Sequence, residues 1–410
     1  MKTVGIIAEY NPFHQGHAYQ LQKARELTKA DYVIIVMSGC FVQRGLPAIT
    51  DKYTRAEMAL QGGADLVLEL PVPYAVGSAE SFAQGAVSLL DSLGCVDFLC
   101  FGSECGSLDS LLPLARLFEE EPEEYRRLLQ DFLKQGLSFP AARSSAAESY
   151  QKQELALLNQ PNNILGIEYC RALLRRRSPI RPITLPRSSS GYHDLTLDVP
   201  LASASAIRTA LLEQAQLSQK ICAQLPKTSQ ELLARTLRTS GFLTFDDFSS
   251  VLFHQLLSLS KEDLTTYQDI TEDLAARMEN CRFQFTTASA FADLLKTRQL
   301  THTRITRALC HILLDLRQKD LETLRHQDYP VYANVLGFRK SAAPLLSAIK
   351  QKGTWPLLVK TADASRLLTP EQLSLFSQDV FAAHVYEAAK VCRFGTSFTH
   401  EYTRSPVILP

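Results

Sequence analysis

The chain opens on a short apolar run, residues 4–8, that a turn cuts off and a helix follows at once. A run this short and apolar, bounded by turn residues, fits a strand buried on both faces of a parallel sheet. Asn11-Pro12 ends it, because proline fixes φ and removes a ladder donor. From Gly16 the positions Ala18, Leu21, Ala24 and Leu27 mark out a helical stripe. A strand feeding directly into a helix leaves free backbone N–H groups and the positive end of the helix dipole at the turn, a setting that favours an anion. His14 and His17 stand in that turn and in the first helical turn, with Gly16 between them. Imidazoles there can donate to phosphate oxygens and stabilise charge that develops in phosphoryl chemistry. A residue without Cβ lets a phosphate or a flat base approach the backbone. The composition yields roughly 0.01 chance matches to His-x-Gly-His, and the plain alternative is a pair of surface histidines in a loop.

The alternation continues along the first hundred residues. Strands are expected at 4–8, 32–37, 66–70 and 96–101, with helices at 17–28, 55–61 and 79–93. That order predicts a parallel sheet with helices on both faces, and ligands of such sheets bind beyond the carboxyl ends of the strands. Those ends carry His14 and His17, the turn from Ser38 to Gly45 with Arg44, and Gly102-Ser103-Glu104, so three turns are expected to converge on one crevice. Helices follow at 108–119, 123–134 and 163–177, then a short strand at 183–185 leading to Arg187 and Ser188. Ser203 precedes a further helix with Arg208 near its start, which can set a hydroxyl, N–H groups and a guanidinium on one phosphate. An ordinary serine cap beside a surface arginine fits the same residues. Beyond about residue 217 amphipathic helices dominate, at 245–257, 289–297 and 301–316, with a βαβ-like interlude at 331–360.

At 410 residues the chain exceeds the ~250–300 at which single cores stop growing, so two domains are expected, 1–216 and 217–410. With 43 basic and 43 acidic residues, bulk charge favours no partner, and any RNA affinity must be local. The stretch 171–187 holds six arginines and no acidic residue. Arg175, Arg176 and Arg177 there suit RNA phosphates, and equally a solvated helix end. Lys52 and Arg55 are further candidates, with structural ion pairing as the alternative. Nine cysteines at irregular spacing, and no leader at the start, point to a reducing cytoplasm. Cys95, Cys100 and Cys105 read as core or loop thiols, not a zinc site, so no metal ligands are assigned. No apolar stretch reaches the ~18 residues that a membrane span needs.

Several segments resemble one family. They are IAEYNPFHQGHAYQ (7–20), MSGCFVQRGLPAITDKYTRAEMAL (37–60), GADLVLELP (63–71), FGSE (101–104), QPNNILGIEY (160–169), PRSSSGYHD (186–194) and SASAIR (203–208), with VLGF at 335–338. In this order, over about half the chain, they resemble the bacterial tRNA(Met) cytidine acetate ligase family, a branch of the HIGH-motif nucleotidylyltransferases. HxGH alone indicates the superfamily, whereas YNPFHxGH together with FVQRGxPA is more particular. The resemblance implies an α/β fold, with a Rossmann-like parallel-sheet nucleotidylyltransferase domain followed by a mostly α-helical C-terminal domain that contributes to tRNA binding. It implies ATP-dependent acetylation, from free acetate, of the wobble cytidine N4 amine in elongator tRNA(Met), with Mg²⁺ carried by the ATP. Carried over by position, the ATP contacts are Ile7, Ala8, Glu9, Tyr10, Asn11, Pro12, Phe13, His14, Gln15, Gly16, His17, Ala18, Tyr19 and Gln20, with Gly102, Asn162, Arg187 and Ser188. His14, His17 and Arg208 are the expected catalytic residues, and Arg44, Arg175, Arg176 and Arg177 the expected tRNA contacts. Three places depart from the pattern: Cys40 stands where a polar residue is usual, Leu46 where Glu is usual before Pro47, and Ser188 to Ser190 where the family is bulkier or more basic. A small-molecule adenylyltransferase and a non-catalytic, nucleotide-regulated tRNA-binding protein are the rival readings.

Overall fold

A computed structural model of the chain describes residues 1–152, 156–187, 197, 199–297 and 299–410. Among these, ten strands form: β1 (Thr3–Ala8), β2 (Tyr32–Ser38), β3 (Phe41–Val42), β4 (Leu46–Pro47), β5 (Leu66–Leu70), β6 (Phe98–Ser103), β7 (Arg181–Pro186), β8 (Ala333–Arg339), β9 (Leu357–Leu358) and β10 (Val407–Leu409). The main sheet runs β10-β8-β5-β2-β1-β6-β7, with β9 on β8. β5, β2, β1, β6 and β7 are mutually parallel, as expected for alternating strands and helices. In β2 the two-residue period sends Ile34 and Val36 to one face and Val33, Ile35 and Met37 to the other. Both faces are covered. The helices Ala79–Ser92 and Pro161–Arg176 pack on the first, and α1 (Gln15–Thr28), α2 (Lys52–Gln61) and the helix Ala204–Gln214 on the second.

The helical part has a core of its own, built from the segment 243–316 and from Ala382, Ala383 and Tyr386 of the long helix Pro370–Phe394. The same helix sends Leu375, Phe376 and Val380 into the core under the sheet. The interlude at 331–360 is β8, the helix Ala343–Lys352 and β9, with β8 and β9 parallel. The division expected at 216/217 does not part sheet from helices, because β8 pairs antiparallel with β5 and β10 lies parallel beside β8. Strand β5 is buried along its whole length, so its outer edge needs a partner, and the C-terminal segment supplies it.

The turn after β2 is a small hairpin, β3–β4, closed by Gly45 at φ +71°. The Phe41 ring meets Phe248 at 5.5 Å and Tyr386 at 6.3 Å, and Cys40 and Leu46 pack into the same helical core. The apolar character of Cys40 and Leu46 thus has a local cause. Lys52 and Arg55 are structural: Lys52 lies 2.7 Å from both Glu69 and Glu401, and Arg55 donates to the carbonyls of Glu9, Ser38, Gly39 and Thr50.

Candidate active site

His14 is the cap of α1, which starts at Gln15, one residue before the Gly16 expected. Its Nδ1 accepts from the Gly16 N–H at 3.0 Å, and its own N–H donates to His17 Nδ1 at 3.3 Å. The two histidines thus do for this helix end what Ser and Glu do in a capping box. With each Nδ1 accepting from the backbone, the proton of each neutral ring sits on Nε2, so both are hydrogen-bond donors through that atom. The rings lie 3.8 Å apart, and His17 also meets Tyr10 at 4.7 Å. Burial, then the charges of Arg187 and Arg208, push the His14 pKa down to about 3. Burial, His14 and Arg187 hold His17 well below the usual histidine value. Both rings are therefore neutral at pH 7. Gly16 is explained by the ring beside it, since a Cβ there would come within 2.8 Å of His14 Cε1.

The ends of β6 and β7 bring in the other side. The Arg187 N–H donates to the Ser103 carbonyl, and its Nη1 reaches Asn162 Oδ1 at 3.2 Å. A Cβ on Gly102 would meet Arg187 Cγ at 3.1 Å, so the glycine makes room for that side chain. Glu104 caps the helix Pro161–Arg176, accepting from the N–H groups of Asn162 and Asn163 and from Asn162 Nδ2. Ser203 caps the helix Ala204–Gln214, and Arg208 within it donates to the Asn11 carbonyl at 2.7 Å and to Ser205 at 3.2 Å. Burial lowers the pKa of both Arg187 and Arg208, which raises the worth of an anion between them.

These elements surround an open cleft lined by His14, Gly16, His17, Tyr19, Gln20, Gly102, Leu185, Pro186, Arg187, Leu201, Ala202 and Ser203. The two histidines and the Arg187 guanidinium share this lining with the apolar wall Leu185, Pro186, Leu201 and Ala202, and the Arg208 charge lies near enough to act on His14. That wall was not read from the sequence. Its anchor is the buried Gln224, which accepts from the Ala202 N–H and donates to the carbonyls of Leu197 and Val199. Only a buried polar residue in an otherwise apolar helical pattern could have signalled it.

Not every expected contact faces the cleft. Ile7, Tyr10 and Phe13 are core residues, the Asn11 side chain is bound to the Ile49 N–H, and the Gln15 N–H is bound to the Gln224 carbonyl. Pro12 is buried, Ala8 and Ala18 pack against the core, and the Glu9 carboxylate turns to the Gln43 N–H. Ser188, with the neighbouring Tyr192, His193 and Asp194, lies outside the described residues. Arg44 sits in the β3–β4 turn, its carbonyl held by Thr306 and its charge opposed by Glu9. Arg175, Arg176 and Arg177 lie at the far end of the helix whose first turn holds Asn162, about 20 Å away at 1.5 Å per residue. Arg176 is ion-paired with Asp91 and Asp328, while Arg175 and Arg177 are exposed. Among the described residues no three His, Cys, Asp or Glu side chains group as a metal site, and no helix is long and apolar enough to cross a membrane.

The profile of the HIGH Nucleotidyl Transferase family matches residues 1–397. A protein of Acetivibrio thermocellus called tRNA(Met) cytidine acetate ligase is 37% identical over the whole of both chains. One of that name from Halothermothrix orenii is 40% identical, with 94% of each chain covered. Among solved structures, Thermotoga maritima TmcAL superposes with a TM-score of 0.94 in its apo form and 0.92 bound with alpha-thio ATP, at 32% identity over all of both chains. The second of these carries a nucleotide analogue on a chain of the same fold. The chain therefore belongs to the HIGH nucleotidyl transferases and, among them, to the tRNA(Met) cytidine acetate ligase family.

Proposed function

We propose that the chain is an ATP-dependent ligase that joins free acetate to the N4 amine of the wobble cytidine of elongator tRNA(Met). The observation that carries this reading is the convergence of the neutral His14 and His17 donors with Arg187 on one cleft at the carboxyl edge of the sheet, with the Arg208 charge close by His14. An acetate oxygen attacks the α-phosphorus of ATP in line, the bond to the β-phosphate oxygen breaks, and pyrophosphate leaves. Acetyl-adenylate remains in the site. The cytidine N4 nitrogen then bonds to the acetyl carbon and AMP departs with the bonding pair. No enzyme nucleophile takes part, so the rate comes from positioning and charge stabilisation. The Nε2–H groups of His14 and His17 donate to oxygens on which charge builds, and Arg187 and Arg208 neutralise the departing pyrophosphate. Magnesium would come with the triphosphate, since among the described residues no carboxylate cluster stands ready to hold it. The wobble base must leave its stack to reach the adenylate, the mode usual for single-stranded RNA.

The exposed Arg175 and Arg177, together with Arg44 of the β3–β4 turn, which has a partner of its own, are the candidates for RNA phosphates; Arg176 is ion-paired with Asp91 and Asp328. Replacing Arg175 and Arg177 by alanine should reduce the salt dependence of tRNA binding by up to about two phosphates' worth of released counterion. An unchanged slope makes them a solvated helix end. The reading places the enzyme in the cytoplasm, where ATP, acetate and tRNA meet. Incubation with ATP, labelled acetate and total tRNA, followed by nucleoside analysis, should put the label in N4-acetylcytidine with stoichiometric AMP. Label transferred from acetyl-CoA without ATP, or AMP joined to a phosphorylated small molecule, would overturn it.

A further inference from the structure

The cleft described above lies on the β6 and β7 side of β1. On the other side of β1, towards β2, the sheet edge carries a second group of polar atoms centred on one carboxylate. We propose that Glu9 receives the exocyclic amine of the target cytidine and takes its proton as the acetyl group is transferred, an inference that rests on the acetate ligase reading.

Glu9 is the first residue beyond β1, partly exposed at the carboxyl edge. Its carbonyl is held by Arg55 Nη1 at 2.7 Å, and its Oε1 accepts the Gln43 N–H at 3.0 Å. Both ends of the residue are thus fixed. The other carboxylate oxygen has no hydrogen-bond partner among the described residues, and the group forms no ion pair there. The second carboxylate at the strand ends, Glu104, is spent on capping Asn162 and Asn163. Glu9 is therefore the one of these two with an oxygen to spare.

The turn that orients it is itself held rigidly. Thr306 Oγ1 donates to the Arg44 carbonyl at 2.7 Å, and Gly45 lies so close to the Arg307 backbone that a Cβ would come within 2.4 Å of Arg307 Cα. The helical part thereby sets the position of a carboxylate at the carboxyl edge of the sheet, across β1 from the nucleotide cleft. Charged and titratable groups face Glu9 from every side: Arg44 in the turn, Arg55 in α2, Arg208 in the helix Ala204–Gln214 and Tyr169 in the helix Pro161–Arg176. The three cations keep an anion tolerable beside an incoming acetate.

The chemistry asks for such a group. The lone pair of the cytidine amine is drawn into the ring, and its two N–H bonds are the donors that distinguish cytosine from uracil, which presents an oxygen acceptor there. A carboxylate accepting one N–H selects cytosine. As N4 bonds to the acetyl carbon and the carbon–oxygen bond to AMP breaks, the nitrogen must shed one proton, and Glu9 takes it and later returns it to water. The catalytic contribution of such a base is typically ~10²–10⁴-fold.

Glu9→Gln separates this role from a structural one, because the amide oxygen still accepts from Gln43. The two half-reactions would be measured apart: acetate-dependent pyrophosphate exchange without tRNA, and single-turnover transfer of acetyl from preformed enzyme-bound adenylate to tRNA(Met). Transfer should fall at least about a hundredfold, and far more than exchange does, and Glu9→Asp should recover part of the rate. The proposal is overturned if transfer by Glu9→Gln stays within threefold of wild type, or if exchange falls as much as transfer. Should Glu9→Gln not fold, Glu9→Asp carries the test, and transfer that falls no further than exchange overturns the proposal equally. Wild-type protein that makes no acetylcytidine from ATP and acetate refutes the ligase reading itself, a different result from any of these.

Discussion

At the scale of single residues, the site turns on two histidines that bond to the backbone and are not charged. Losing one transition-state hydrogen bond costs ~10²–10³ in rate, so His17→Ala should lose that much acetyl-adenylate formation while its circular dichroism stays that of the wild type. Pyrophosphate exchange near the wild-type rate would remove His17 from the mechanism. The lowered pKa of His14, about 3, carries a second consequence. Below pH 6.5 the unfolded chain gains a proton on this residue that the folded chain refuses, so its contribution to stability is lost as pH falls, by ~1.4 kcal/mol per unit. Urea titrations at pH 6.5 and 5.5 should show a steeper loss for wild type than for His14→Asn. Equal slopes would mean that His14 is protonated in the folded protein. The motif was legible in the sequence because its spacing is rare and the strand and helix around it are strongly patterned. What Gly16 and Gly102 accommodate was not, since each glycine serves a side chain, His14 or Arg187, whose rotamer only the fold decides.

At the scale of elements, β1, β2 and β5 could be read because each is a short apolar run bounded by breakers, and they form at Thr3–Ala8, Tyr32–Ser38 and Leu66–Leu70. Strand β6 was placed two residues early, at 96–101 and not Phe98–Ser103, since Val96 extends the apolar run although pairing begins after Asp97. β10 was missed: three residues are too few for any period, and Val407–Leu409 becomes a strand only because β8 is there to pair with. The β3–β4 turn was expected as crevice lining, yet none of its residues lines the cleft; it packs against the helical part and is the clamp between sheet and helices. Gly45→Ala should therefore cost more than its positive φ alone, which is worth about 1–2 kcal/mol. Gly136→Ala is the control, with φ +83° and nothing within 4 Å of the added Cβ. Denaturant midpoints should place Gly45→Ala well below Gly136→Ala, with tRNA acetylation falling in parallel. Equal midpoints would show that the turn yields freely to helix His302–Leu313.

At the scale of the whole molecule, sheet and helices are tied by buried charge. Lys52 lies between Glu69 of β5 and Glu401 near the chain end, and Asn334 of β8 donates to Glu69 at 2.8 Å. Removing the cation leaves two buried carboxylates facing each other, so Lys52→Met should destabilise by about 3–5 kcal/mol. Lys52→Met combined with Glu69→Gln should recover part of that in the same urea titration, and an equally unstable double variant would argue against the pairing. The sequence leaves ion pairing open for Lys52 but does not point to this partner, because Glu401 lies at the opposite end of the chain. The same return of the C-terminal segment bears on synthesis. Strand β5 leaves the ribosome some 270 residues before β8 can cover its edge, going by their positions at 66–70 and 333–339. At ~5–20 residues per second the nascent chain carries an open apolar strand edge for roughly fifteen to fifty seconds. Production of this protein is thus most exposed to aggregation during translation, and a slowed ribosome or a scarcity of holding chaperones would lower its yield more than any change at the active site.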